Sequence, residues 1–204
     1  WEDIEGVRAR IDALPAGSAV MLDLKTITGY FYYSSEVGPI SSSADVDAVD
    51  DLITYLNSKD LYLIARIPAF RDYHFGLNET LNGLFMVSNP LGLWMDEEGC
   101  YWLDPTKDGT LTYLIQVIKE LRNLGFDEVV LQDFYVPEGE TIKFSGQRQQ
   151  VIDDTAQSLV PACATDSFTV SFVAQSPSMR IPESRSRLYL MDVPAADVGD
   201  FLAQ

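Results

Sequence analysis

Asp23 and Asp192 directly follow short apolar runs, Ala19–Leu22 and Leu188–Met191, and Asp133 follows Val129–Leu131 with Gln132 between. Paired carboxylates at strand ends are what cleavage of a glycosidic bond requires: one protonates the leaving oxygen, while the other attacks the anomeric carbon or activates a water. Polar groups at the ends of two more such runs complete the set: Arg66 to Asp72, and Gln175. Lys25, two residues past Asp23, and Gln132, beside Asp133, belong with them. Arg66 stands out because it interrupts Leu63-Ile64-Ala65-Arg66-Ile67, and a buried guanidinium requires an anionic or carbonyl partner. Asp23 or Asp133 on a flanking strand could supply one, either as a structural ion pair or as part of a substrate clamp. Aromatic side chains in the intervening loops (Tyr30, Tyr32, Trp94, Tyr101, Trp102) have the shape to stack on sugar rings or to cover the site.

The elements that must position these groups alternate in type. Helical spacing of apolar residues predicts helices over residues 2–14, 45–58, 110–124 and 147–160, with a last short one over 196–203. Pro15 and Gly17 stop the first, and Gly125 stops the third. Between them, continuous apolar runs near residues 19–22, 62–70, 128–131, 168–173 and 188–191 read as strands buried on both faces, as in a parallel sheet. The residues after Phe70, holding His74, Trp94 and Cys100-Tyr101-Trp102, read as a long loop, and Tyr30-Phe31-Tyr32-Tyr33 as an extended aromatic excursion. The pattern implies an α/β fold of parallel β/α units, TIM-barrel-like, forming one domain over residues 1–204. About five strands are visible, and a full (β/α)8 barrel takes roughly 250 residues, so an incomplete or truncated barrel is expected, with a smaller doubly wound sheet as the alternative. The connection between the last two strands leaves little room for a crossover.

Composition excludes several functions. A net charge of −17 repels nucleic acid and anionic membranes. No apolar segment is long enough to span a bilayer, and Trp1-Glu2-Asp3 begins neither a basic nor an apolar leader. Cys100 and Cys163 lack zinc-finger spacing, and whether they pair is open. His74 is the only histidine, which disfavours a multi-histidine metal site, and phosphate-binding glycine loops are missing. No metal or cofactor is expected.

Several segments, in order, resemble the glycoside-hydrolase-like barrel domain known as domain-of-unknown-function family 4015. These are Val20-Met21-Leu22-Asp23-Leu24-Lys25 with Gly29-Tyr30, Leu63 to Ile67 with Phe70-Arg71-Asp72, Trp102-Leu103-Asp104-Pro105, and Leu124-Gly125-Phe126-Asp127-Glu128-Val129. The resemblance implies a barrel acting on a polysaccharide or cell-wall glycan, in an extracellular or cell-envelope setting. Taken with the strand-end positions, it makes Asp133, Asp23 and Asp192 the catalytic candidates, with Lys25, Arg66, Asp72, Trp102, Gln132, Tyr135 and Gln175 as candidates for substrate contact. The chain departs from the pattern at two strand ends. Gln132 stands where the family has an Asp, with Asp133 one step along and Tyr135 where an Arg belongs. The next strand ends in Ala174-Gln175 without a carboxylate. One residue of slip turns a strand side chain to the opposite face, so Asp133 reaches the crevice only through a bulge or looser strand-end geometry. Amides bind sugar hydroxyls but cannot act as nucleophile or base. The alternative is therefore a barrel that has lost its chemistry and binds carbohydrate or a protein partner.

Overall fold

Side-chain alternation along the second strand sorts the molecule into two faces. Leu63, Ala65 and Ile67 enter the main core, whereas Tyr62 and Ile64 join a small cluster on the other side. The same division holds in its neighbours: Leu22, Val129, Leu131, Val170 and Phe172 lie in the main core, and Met21, Val130 and Val173 in the small cluster.

The computed structural model describes residues 3–191 and 193–203. Helix α1 (Ile4–Asp12) precedes β1 (Ser18–Asp23), α2 (Val46–Asn57) and β2 (Leu61–Pro68). Next come α3 (Tyr73–Asn78), β3 (Phe85–Met86), α4 (Asp108–Asn123), β4 (Glu128–Gln132), β5 (Ile142–Lys143) and α5 (Arg148–Cys163). The chain continues with β6 (Thr169–Val173), β7 (Leu188–Tyr189) and α6 (Val198–Leu202). Strands β1, β2, β4, β6 and β7 form one parallel sheet in that order, while β3 and β5 make a separate antiparallel pair.

The three long crossover helices pack on one face only. Val49, Leu52 and Leu56 of α2, Leu114, Val117 and Leu121 of α4, and Ile152, Ala156 and Leu159 of α5 all belong to the main core. Helices on one face suit a (β/α) arrangement, whereas a doubly wound sheet would carry helices on both faces. A closed barrel is not formed: among the described residues the sheet is open, with β1 and β7 at its edges. The β6–β7 connection, residues 174–187, reaches a parallel strand without a helix.

The expected helices are present, with ends shifted by a few residues. Asp3 caps α1 by accepting from the Gly6 N–H (2.8 Å), and Asp45 caps α2 by accepting from Ala48 (3.1 Å). The segment expected as a short helix at 196–203 is a 3₁₀ turn (Ala195–Asp197) followed by α6. The long loop after Phe70 holds structure that lacks periodicity: α3, the β3–β5 pair and isolated bridges such as Arg71 with Trp102. The aromatic excursion is partly core, since Phe31 and Tyr33 are buried and the Tyr33 hydroxyl donates to Glu120 (2.7 Å). Cys100 and Cys163 are separate buried thiols.

Two charges expected at the substrate are instead sealed in the interior. Lys25 Nζ lies 2.7 Å from Asp72 Oδ2, with side chains 1% and 0% exposed. The Tyr113 hydroxyl also donates to Asp72 (2.8 Å), the Phe75 N–H donates to its other oxygen (2.8 Å), and Lys25 donates to the Pro68 carbonyl (3.3 Å). Gly29 has φ +87°, and a Cβ there would sit 2.1 Å from Asp72 Oδ1. Removing one partner of a buried pair strands the other, which costs about 3–5 kcal/mol. Lys25→Met is therefore expected to lower unfolding stability by that amount in urea titrations; an unchanged midpoint would remove this pair from the fold's supports.

Candidate active site at the strand ends

The carboxyl ends of the parallel strands bring most of the expected residues to one end of the sheet. Asp23 and Arg66 are register partners on β1 and β2, on the face away from the helices. Arg66 grips Asp23 with both prongs, Nε to Oδ1 at 2.5 Å and Nη2 to Oδ2 at 2.7 Å. The Asp23 side chain remains 55% exposed, so the pair is open to a ligand and not a closed internal bridge.

Asp133 follows β4 directly, and its backbone is left-handed, with φ +49°. Aspartate tolerates this region better than most side chains, and the turn breaks the strand's alternation at the residue where the side chain must be redirected. The loop after β2 approaches here, with the Phe70 N–H donating to the Asp133 carbonyl (3.4 Å). Burial holds the Asp133 carboxyl above the ordinary aspartate value of 3.8. Arg71 and Lys25 oppose that rise, and the negative charges of Asp96 and Glu98 add to it.

Asp96 has the opposite character. Burial alone would raise it, but hydrogen bonds from Arg71 Nε (2.6 Å), Trp102 Nε1 (2.8 Å) and the Cys100 N–H (2.9 Å) outweigh that and hold it below 3.8. The Glu98 N–H donates to it as well (3.0 Å). Arg71 also pairs with Glu98 (3.2 Å) and lies over the Trp102 ring, 5.9 Å from its centroid. Together these groups line a cleft of about 270 Å³ with Trp94 and Tyr135. Trp102 meets Tyr135 edge to face at 4.9 Å, and Trp94 Nε1 donates to Thr141 (3.1 Å).

Tyr135 also borders a second cavity, of about 430 Å³, which Gln175 lines. Gln132 is half-buried at the end of β4 and shares the face of Val130, away from the helices. The structure thus groups Trp102 and Tyr135 at one cleft, with Asp133 within electrostatic reach of the cleft's Arg71, Asp96 and Glu98, Gln175 on the adjoining cavity and the Asp23–Arg66 pair on the open sheet face. Lys25 and Asp72 lie beneath it in the interior, and Asp192 lies outside the described residues. Among the described residues no group of three or more acidic, cysteine or histidine side chains converges as a metal site.

Sequence reasoning does not single out Arg71, Asp96 or Glu98. Arg71 lies within the strand-end stretch Arg66 to Asp72, where Arg66 and Asp72 carry the weight. Adjacent residues in an extended segment point opposite ways, so burying Asp72 turns Arg71 toward the cleft. Asp96 carries no sequence signal beyond an Asp-x-x-Gly turn.

The sheet geometry has relatives among solved structures. A hypothetical protein from Ruminiclostridium thermocellum is 20% identical, with 84% of this chain and 90% of that one covered and a TM-score of 0.71. The GH20 β-N-acetylhexosaminidase from Streptomyces coelicolor is 12% identical, covering 99% of this chain and 42% of the enzyme (TM-score 0.58). For α-L-fucosidase isoenzyme 2 from Paenibacillus thiaminolyticus the values are 13%, 78% and 27% (TM-score 0.53). The chain therefore spans less than half the length of these two glycosidases, and at such identities the likeness is one of fold. No curated protein sequence matches it. With residues 13–174 covered by the family model described as "Putative glycosyl hydrolase domain", the chain belongs to that family.

Proposed function

We propose that this domain acts on a polysaccharide or cell-wall glycan, outside the cell or in its envelope, with Asp133 as the general acid. The observation that carries this reading is Asp133 itself, a strand-end carboxyl held above its ordinary pKa by burial, beside a cleft walled by Trp94, Trp102 and Tyr135. A protonated carboxyl in a drier site is suited to protonating a glycosidic oxygen as the bond to the anomeric carbon breaks. The water that replaces the leaving group gives its hydroxyl to that carbon and its proton to a second carboxylate. Asp96 is a poor second carboxylate because four donors already occupy it. Asp23, oriented by Arg66 and half-exposed, is assigned that part, with Asp192 as the sequence's other candidate. Tyr135, Trp102 and Gln132 are assigned sugar contacts, as is Gln175 from the neighbouring cavity.

A second reading is favoured by one observation. Gln132 and Gln175 are amides at strand ends where the family pattern carries acids, which suits a domain that binds glycan without cleaving it.

Release of new reducing ends from a panel of soluble polysaccharides separates the two. Wild type is expected to release them, and Asp133→Asn to lose about 10²–10⁴-fold in rate. Asparagine also tolerates the left-handed backbone. Full activity in the variant would remove Asp133 from the mechanism. Saturable binding with no release would establish the second reading.

The same acid sets the pH dependence. Since Asp133 must be protonated to act, the rate is expected to fall as pH rises through a value above 3.8. Carboxyl ¹³C titration should place Asp133 above 3.8 and Asp96 below it. The stability linkage carries the matching signs. The contribution of Asp133 is present below 3.8 and lost as pH rises through its raised value, while that of Asp96 is present above 3.8 and lost as pH falls through its depressed value. Asp133→Asn removes the cost of the buried charge and should thus be at least as stable as wild type near neutrality, so that lost activity in it reports chemistry and not unfolding.

A further inference from the structure

We infer that the larger cavity beside the Asp133 cleft is a second ligand site, and that it takes an apolar ring, the aglycone side of an aryl glycoside. That the ring is joined to a sugar rests on the glycosidase reading above; the preference for an apolar ring does not.

The cavity lies between the segment after β4, the segment after β6 and the first turns of α5, and at about 430 Å³ it exceeds the cleft. Ligand sites of this kind run from about 300 to 1,000 Å³ and combine apolar walls with a few polar groups. Phe134, Val136, Ile152 and Met179 form apolar walls, each no more than 7% exposed. The walls are firm, because Phe134 is packed between Phe70 (4.8 Å between ring centroids) and Phe172 (4.6 Å).

Polar groups at the rim are largely committed. Gln149 donates to Asp153 (2.8 Å), and Arg148 donates to the Pro137 carbonyl (3.1 Å) with Glu138 near it (3.7 Å). The Gln175 amide is left to meet a ligand. A hexose carries a hydroxyl on most ring carbons, and each one buried without a partner costs free energy. The four apolar walls offer no such partners, so a sugar hydroxyl facing them is stranded, whereas an aromatic ring lies flat against them and turns a polar substituent to the rim, where Gln175 and Ser176 stand. Tyr135 borders both spaces, so a ligand crossing it would place its sugar in the cleft and its ring in the cavity.

The test is a methyl ¹H–¹³C NMR titration of the full chain with 4-nitrophenol and, separately, D-glucose. 4-Nitrophenol is expected to shift the Ile152 and Met179 methyl signals saturably, and glucose at equal concentration to leave them in place. A bulky side chain at the rim should block entry, so Ser176→Trp is expected to weaken 4-nitrophenol binding about tenfold or more. Gln149→Trp, at an exposed rim position, is a second block should the first variant fold poorly. The inference is overturned if no saturable shift occurs, if glucose shifts the same methyls equally, or if folded blocking variants bind as well as wild type. Methyl shifts without glycan cleavage would leave the apolar-ring site standing and remove only its link to hydrolysis.

Discussion

The buried Lys25–Asp72 pair is the contact on which the rest of the strand-end architecture depends. Two opposite charges leave water to form it, and the desolvation is offset only because each is satisfied further. Asp72 takes hydrogen bonds from Tyr113 of α4 and from the Phe75 N–H at the start of α3. Lys25 reaches the carbonyl that ends β2. Four segments, those following β1 and β2 together with α3 and α4, are therefore held by one pair of charges. The segment after β2 is pinned on both sides of Asp72, by Asp72 N–H to the Tyr101 carbonyl (3.0 Å) and Leu103 N–H to the Phe70 carbonyl (2.7 Å). With Asp72 facing inward, its neighbour Arg71 faces Asp96 and the cleft. The cation that organises the cleft is aimed by the acid that does not enter it.

From Arg71 the order passes to the excursion over residues 83–103. Leu84 N–H donates to the Trp102 carbonyl and Trp94 N–H to the Leu84 carbonyl, each at 2.7 Å, so Trp94 and Trp102 sit on a laddered frame although no long strand is present. Asp96 closes the frame by accepting backbone and side-chain donors on its two oxygens. Its low pKa follows from that work, and its charge is one cause of the high pKa of Asp133. One carboxylate is thus spent on building the wall, and the same charge tunes the acid beside it.

Long periodic elements were legible because burial on one face repeats along them. Helices α2, α4 and α5 and the first four strands of the parallel sheet follow their apolar patterns. Helix α3 was not legible, since six residues begun by a capping Asp72 present no full period. The stretch Leu124 to Val129, one of those that carry the family resemblance, proves to specify fold. Gly125 has φ +90° with a Cβ position 2.1 Å from Asn57 Oδ1, Asp127 accepts from the Leu63 N–H (2.7 Å), and Glu128 is fully buried against Tyr62 (2.9 Å) and Arg187. These contacts dock β4 against β2. The signature identified the architecture, while the candidate cleft is built from the less patterned loops. Asp133 shows why that was not legible: the direction of its side chain turns on one left-handed residue, which neither spacing nor composition encodes.

The amides at Gln132 and Gln175 bear on how an acid can be kept protonated here. A carboxyl pKa rises either because a like charge sits against it or because water is withdrawn. With neutral side chains at the ends of β4 and β6, the leading acidic contributions to Asp133 come from Asp96 and Glu98 in the wall. Burial is the larger cause. Tyr135, half-buried and edge-on to Trp102, and the excursion that carries Trp94 and Trp102 exclude water from that side. On the proposed glycan reading, the aromatic wall has two linked consequences: it would present flat apolar surface to a sugar ring, and the burial around it raises the Asp133 pKa. A sugar seated on that wall would withdraw more water and raise the same pKa further, so that binding itself would favour the protonated form of the proposed acid.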